Sequence, residues 1–265
     1  FHAHPGIPDA QESRGLGDVY KRQNQNKNHT LHGGSDGSAV RNWKIVQYNK
    51  SMVTFLDKLP DGHMGFPGNL TVETTYKVAQ STIDIVIEAS TDKTTLCNFT
   101  NHSYFNLDGT KNIANHQLMV ECDKVLPVDE NGIPISGPIF AKDLDLDFKT
   151  GRTLNNNGNP IEVDHNFCIS NTRQNLRRNA FVTAKNISLE LFSTEPGLQI
   201  YTGKGLNSGN EKIWGKYPYR EFAGIALEPQ IWPDAPNQID FPNPLLQPGD
   251  KYKHHTRLKF SRTKI

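Results

Sequence analysis

An all-β domain is what the sequence predicts, and three observations carry that expectation. Apolar side chains alternate with a period of two through short runs. Turn-forming dipeptides separate those runs. No apolar stripe of helical period holds beyond a few turns. The 21 glycines and 16 prolines among 265 residues suit many turns better than long helices. Antiparallel strands without interleaved helices imply a sandwich or a barrel, and no repeat or linker divides the chain after residue 30.

The strands follow in order. Val40–Val46 leads into 51–56. Leu70–Val78 alternates as Leu70, Val72, Thr74, Tyr76, Val78, and Thr82–Ala89 as Ile83, Ile85, Ile87; joined around Ala79-Gln80-Ser81 they read as a hairpin. Further strands are expected at Thr95–Thr100, Gln117–Glu121, Phe167–Ile169, Ala180–Lys185, Ile187–Ser193, Leu198–Thr202, Phe222–Glu228 and Tyr252–Ser261. Asp61-Gly62, Pro67-Gly68, Asp108-Gly109, Asn131-Gly132, Asn157-Gly158 and Pro248-Gly249 supply turns between them. Gly137–Thr153 reads equally as a helical turn or an extended connection.

Charge narrows the partners. Lys and Arg total 29 against 28 Asp and Glu, a net charge of +1. So even a balance gives no electrostatic reason to expect nucleic acid or an anionic membrane. No apolar run is long enough to span a bilayer. Cys97, Cys122 and Cys168 are widely spaced, without a CxxC pair, and read as small buried thiols. Residues 1–23 show neither strand nor helix periodicity, and Asp18–Gln23 matches the translation of a transposon mosaic-end adapter. That segment is therefore expected to be non-native, with the domain proper spanning 24–265 and its first strands missing. A cytoplasmic location is expected, with secretion left open because the native start is suspected to be lost.

Four polar clusters interrupt the strand pattern: Leu31-His32-Gly33-Gly34, Thr100–Leu107 around His102, Val163–Phe167 with Asp164, and Ile225–Ala235 with Glu228. Glu228 ends an apolar run, where burial would raise a carboxyl pKa. Each cluster alone is weak evidence; a lone His among aromatics is commonly structural. No HxH, HExxH or His-plus-Cys spacing supports a metal, and His254-His255 reads as solvated surface.

Taken in order, TLHGGSDG (30–37), DGHMGFPGNL (61–70), TNHSYFNLDG (100–109), VDHNF (163–167), TEPGLQIYTG (194–203), ALEPQIWPDAPN (226–237) and FPNPLLQPGDKY (241–252) resemble the aldose 1-epimerase (galactose mutarotase) family across about residues 28–261. The resemblance implies a galactose mutarotase-like β-supersandwich of large antiparallel sheets, N-terminally truncated. It implies interconversion of the α and β anomers of free aldohexoses. Glu228 matches the general base and His102 the general acid. His32 matches a histidine facing the ring and O1, and Asp164 and Gln199 match groups that bind sugar hydroxyls. Ser103 and Tyr104 flank the acid and shape the site. A carboxylate and an imidazole flanking C1–O5 can open and close the ring by proton transfer, so no cofactor and no metal is expected. The expected partner is a small monosaccharide, met by a monomer or weak dimer.

Three departures from the family pattern stand out. Ser38 follows Gly37 where a Phe is usual, and His63 replaces an acidic residue. An Asn-Arg pair expected upstream of His32 is missing, and Arg22 lies too near to replace it. A non-catalytic carbohydrate-binding module would not need the Glu228/His102 pair. A glycoside hydrolase would use Asp164 with Glu228. A hexose-6-phosphate epimerase would carry an additional Arg cluster.

Overall fold

The structure, a computed structural model, describes residues 29–210 and 218–263. The expectation about segment 1–23 falls outside the described residues. In chain order the first strands are β1 (Lys44–Tyr48), β2 (Met52–Leu59), β3 (Leu70–Ala79), β4 (Thr82–Thr91), β5 (Thr95–Leu96) and β6 (Tyr104–Phe105). Then follow β7 (Gln117–Val120), β8 (Lys124–Val125), β9 (Ile139–Phe140), β10 (Arg152–Thr153), β11 (Asn155–Asn156) and β12 (Asn159–Pro160). The last are β13 (Asp164–Cys168), β14 (Arg177–Ala184), β15 (Ile187–Ser193), β16 (Gly197–Tyr201), β17 (Ile225–Gln230), β18 (Leu245–Leu246) and β19 (Tyr252–Arg262).

Two sheets organise them. A nine-stranded sheet runs β1-β2-β3-β4-β19-β15-β14-β7-β10, and a six-stranded sheet runs β6-β17-β16-β13-β8-β9. Adjacent strands in both are antiparallel. The expected hairpin is β3–β4, paired without slip from Leu70↔Thr91 to Ala79↔Thr82. One apolar cluster takes Ile85, Ile87, Leu118, Val182, Leu189, Leu191 and Leu258 from the large sheet. It takes Phe167, Leu198, Ile200, Ile225 and Leu227 from the small one, so the core lies between the two sheets. This is the sandwich of large antiparallel sheets that the residue pattern implies.

Several boundaries differ from the sequence expectation. Of Thr95–Thr100 only the first two residues are strand, because Cys97 bonds the Pro244 backbone and Asn98 and Phe99 make side-chain–backbone bonds to distant elements. The strand expected from Val40 begins at Lys44, and that expected from Phe222 begins at Ile225. Gly137–Thr153 holds both alternatives: a 3-10 turn at Ala141–Leu144 between β9 and β10. All three cysteines are buried free thiols.

His254 overturns the reading of His254-His255 as solvated surface. It is 2% exposed, because the alternation of β19 turns Tyr252, His254, Thr256 and Leu258 inward together. Its Nδ1 donates to the Phe99 carbonyl (2.9 Å), so Nε2 accepts from the Thr256 hydroxyl (2.8 Å). His255, on the other face, pairs with Asp84 (2.7 Å).

Candidate active site

The six-stranded sheet has two faces of opposite character, and strand periodicity separates them. On β16, Leu198 and Ile200 enter the core while Gln199 lies on the opposite face. The register sets Asn166, Gln199 and Glu228 in one row across β13, β16 and β17, and Asp164, Tyr201, Ala226 and Tyr104 in the next. The alternation that builds the core thus gathers residues from four separate stretches onto one polar floor. Gly197 keeps that floor shallow: a Cβ there would lie 2.6 Å from Asn166 Oδ1 and 2.8 Å from the Trp232 ring. Pro229 is tolerated in β17 because that strand pairs with β6 only at Ile225 and Ala226, leaving Pro229 without a ladder partner on that side.

Glu228 stands on this floor with its side chain 7% exposed, facing His102 Nε2 at 3.5 Å. Burial, helped by the nearby Asp164 charge, pushes its carboxyl up to about 8. His102 lies in the irregular segment between β5 and β6, and its position is built by long-range bonds. Asn98 exchanges two hydrogen bonds with the Ile231 backbone (2.9 and 3.1 Å). The Phe99 backbone is held by Tyr252 and His254 of β19. Asn101 donates to the Tyr76 hydroxyl of β3 (3.1 Å).

The His102 ring stacks on Tyr104 (centroids 5.1 Å apart, 27°) and meets the edge of His32 (5.6 Å). Burial, with His32 adding to it, lowers the His102 pKa, so the neutral imidazole is favoured. Its Nδ1 is buried without a protein partner, as are Thr100 Oγ1 and Gln199 Oε1. Burial likewise raises the Tyr104 phenol to about 12, which keeps it a neutral donor and acceptor.

Gln199 donates to Asp164 (2.7 Å), which fixes its amide. Asp164 remains reachable by solvent at the rim, yet the protein around it raises its pKa, against the pull of Gln199. The structure therefore brings Glu228, His102, Tyr104, His32, Asp164 and Gln199 together. Ser103 is different: its backbone N–H donates to Asn101 (3.3 Å) while the residue stays exposed.

Sequence reasoning missed Tyr201, whose ring meets the edge of Tyr104 at 6.2 Å and whose hydroxyl accepts from Gly205 N–H. Its spacing of two from Gln199 was the available signal. Among the described residues, no group of three or more His, Cys, Asp or Glu is placed to hold a metal ion. The site offers a buried carboxyl facing a half-buried imidazole, a neutral phenol and an amide–carboxylate pair. Such a set can move protons at two neighbouring oxygens while holding hydroxyl groups.

Comparison with known proteins agrees with this geometry. The sequence model of the aldose 1-epimerase family matches residues 14–259. The aldose 1-epimerase of Escherichia coli K12 is 35% identical over 243 residues, 87% of this chain and 70% of that protein. Human galactose mutarotase is 37% identical over 244 residues, 88% of this chain and 69% of that one. In fold, an aldose epimerase homologue from C. elegans superposes with a TM-score of 0.83 at 28% identity, over 90% of this chain and 74% of that one. Galactose 1-epimerase from Lactobacillus acidophilus gives 0.76 at 25% identity, over 91% and 72%. With family model, relatives and architecture in agreement, the chain belongs to the aldose 1-epimerase family.

Proposed function

We propose that this chain interconverts the α and β anomers of free aldohexoses such as glucose and galactose. The observation that carries the reading is the buried Glu228 carboxyl 3.5 Å from the His102 imidazole. O1 and O5 of a pyranose are bonded to the same carbon, and an acid and a base this close suit two such oxygens. Glu228 takes the O1 proton and His102 delivers a proton to O5. The C1–O5 bond breaks, an aldehyde forms, and rotation about C1–C2 presents its other face. Ring closure runs the transfers in reverse. Asp164, Gln199 and His32 hold the hydroxyls. Proton transfer is the whole chemistry, so no redox partner or group carrier enters. A binding module would have no use for this acid/base pair.

At 3.5 Å the two groups are close enough to exchange a proton between them. Burial raises Glu228 and lowers His102, so a single proton sits on the pair across the neutral range. The productive form, carboxylate facing imidazolium, is a tautomer of that state. The expected kcat/KM profile is a bell. Its alkaline limb falls at about pH 8, where the proton held by Glu228 leaves. Its acid limb falls below the ordinary imidazole value, where a second proton enters.

Polarimetry with freshly dissolved α-D-glucose or α-D-galactose tests the activity: optical rotation should relax faster than in enzyme-free buffer. Rotation that relaxes at the uncatalysed rate would refute the reading. Asp164 adds a charge that raises Glu228. Asp164→Asn should therefore move the alkaline limb toward lower pH and raise KM by about tenfold. An alkaline limb that stays in place would separate Asp164 from the base.

A further inference from the structure

We propose that His63, with Arg41 and Asp36, forms a clamp that positions His32 in the site; the inference rests on the reading of His32 as a sugar-binding group. His32 has a left-handed backbone (φ 54°), followed by Gly33 (78°) and Gly34 (92°). A β-carbon makes that conformation unfavourable at a histidine, and it persists only where the surroundings impose it. Within the loop, Gly34 N–H bonds Leu31 O (3.0 Å), Gly37 N–H bonds Gly34 O (3.1 Å) and Val40 N–H bonds Gly37 O (3.1 Å). These bonds close it so tightly that a Cβ on Gly37 would lie 2.1 Å from the His32 carbonyl oxygen.

Three further ties hold this loop in place, one of them to strand β2. The His63 ring sits 2.8 Å from the Asp36 carbonyl oxygen through Nε2. A carbonyl only accepts, so Nε2 carries the proton and donates. Arg41 grips the 5%-exposed Asp57 of β2 with Nε (2.9 and 3.2 Å), and its Nη1 donates to the Asp36 carboxylate at 3.0 Å. Trp43 donates its indole N–H to the Ser38 carbonyl (2.8 Å).

His63 can act as an anchor because its own turn is rigid. Gly62 N–H bonds Phe66 O (2.9 Å), His63 N–H bonds Pro60 O (2.9 Å) and Phe66 N–H bonds His63 O (3.0 Å). Asp61 in the same turn accepts from Gly68 N–H (2.6 Å) and pairs with Lys93. The resemblance leads one to expect a carboxylate at position 63. A carboxylate could not donate to Asp36 O, whereas histidine does. Because His32 meets His102 edge-on at 5.6 Å, a drift of the loop is felt at the acid as well as at the sugar.

The test combines kinetics with hydrogen exchange on the full chain. His63→Leu removes the donor; His63→Gln keeps an N–H able to reach the same carbonyl. In His63→Leu, KM should rise by about tenfold and kcat fall by less than about threefold. Exchange over residues 31–41 should quicken while β3 and β4 stay protected. His63→Gln should restore most of both. Arg41→Met, which cuts the second tie and leaves His63 alone, should give the same pattern and serves if His63→Leu folds poorly. In a His32→Ala background, His63→Leu should add nothing further to KM. Unchanged exchange in both His63→Leu and Arg41→Met would overturn the clamp. Additive effects on KM would overturn its action through His32. If exchange quickens but neither His63→Leu nor His32→Ala alters KM, the assignment of His32 to the sugar site is what fails.

Discussion

Glu228→Gln should lower kcat for mutarotation by at least ~10²-fold while leaving the fold intact. The substitution preserves shape but removes the group proposed to take the O1 proton. The same change should stabilise the protein at alkaline pH. The folded-state pKa of Glu228, about 8, lies far above the ordinary 4.5. A group raised in this way contributes stability that is complete below the ordinary value and lost as pH rises through the folded one. Ionising a 7%-exposed carboxylate beside Asp164 is the cost. Wild type should thus weaken between about pH 5 and pH 9, and the glutamine variant, uncharged throughout, should escape that loss. The gap at alkaline pH is on the order of 5 kcal/mol, or roughly 10 °C in Tm, and should close at about pH 5. Polarimetry and thermal melts at the two pH values read both effects. Near-full activity in the variant would remove Glu228 from the role of base. Parallel melting curves at every pH would show that the carboxyl is not held in a dry site.

This pairing of lost activity with gained stability has a structural origin. The six-stranded sheet packs Leu198, Ile200, Ile225 and Leu227 into the core with one set of side chains. With the alternate set it carries Gln199 and Glu228. Rigidity of the floor and burial of the carboxyl therefore come from the same strands, and Glu228 is a charge-bearing group in a place otherwise suited to apolar ones.

Much of this arrangement is legible in the sequence, and the reason is periodicity. A strand alternates locally, so Leu198–Thr202 and Ile187–Ser193 declare themselves without knowledge of their partners. Glu228 is conspicuous because it breaks an apolar run, and the motifs around His102, Asp164 and Gln199 add to that. What stays hidden depends on partners far along the chain. Thr95–Thr100 reads as a strand by composition. Yet Asn98 bonds a backbone 133 residues away, and the Phe99 carbonyl is taken by His254, 155 residues away. Those bonds win over the ladder and leave His102 on an irregular segment. His254 is misread for the complementary reason. Two adjacent histidines suggest surface, although the alternation of Tyr252, Thr256 and Leu258 already marks one of them as inward-facing. The ties of Arg41 to Asp57 and of His63 to Asp36 involve three segments that no local pattern connects.

His102→Gln separates the proposed acid from the proposed base. The side-chain amide of glutamine reaches toward the place occupied by Nε2 and can still donate a hydrogen bond, but it has no proton to give away. The stack on Tyr104, at 5.1 Å in the native protein, is lost, while Asp164, Gln199 and Glu228 keep their places on separate strands. Sugar binding should therefore change little, and kcat should fall by about 10²-fold or more. The pH profile gives the sharper reading. On the proposed reading the native pair holds one proton between them, which gives the expected bell. With His102 gone, Glu228 titrates alone and must be ionised to act, so residual activity should climb with pH and level off above about 8. Steady-state polarimetry across the pH range measures both quantities. An increase confined to KM, with kcat unchanged, would make His102 a binding residue and place the acid elsewhere. A bell-shaped profile that survives His102→Gln would show that the shared proton resides on a different partner of Glu228.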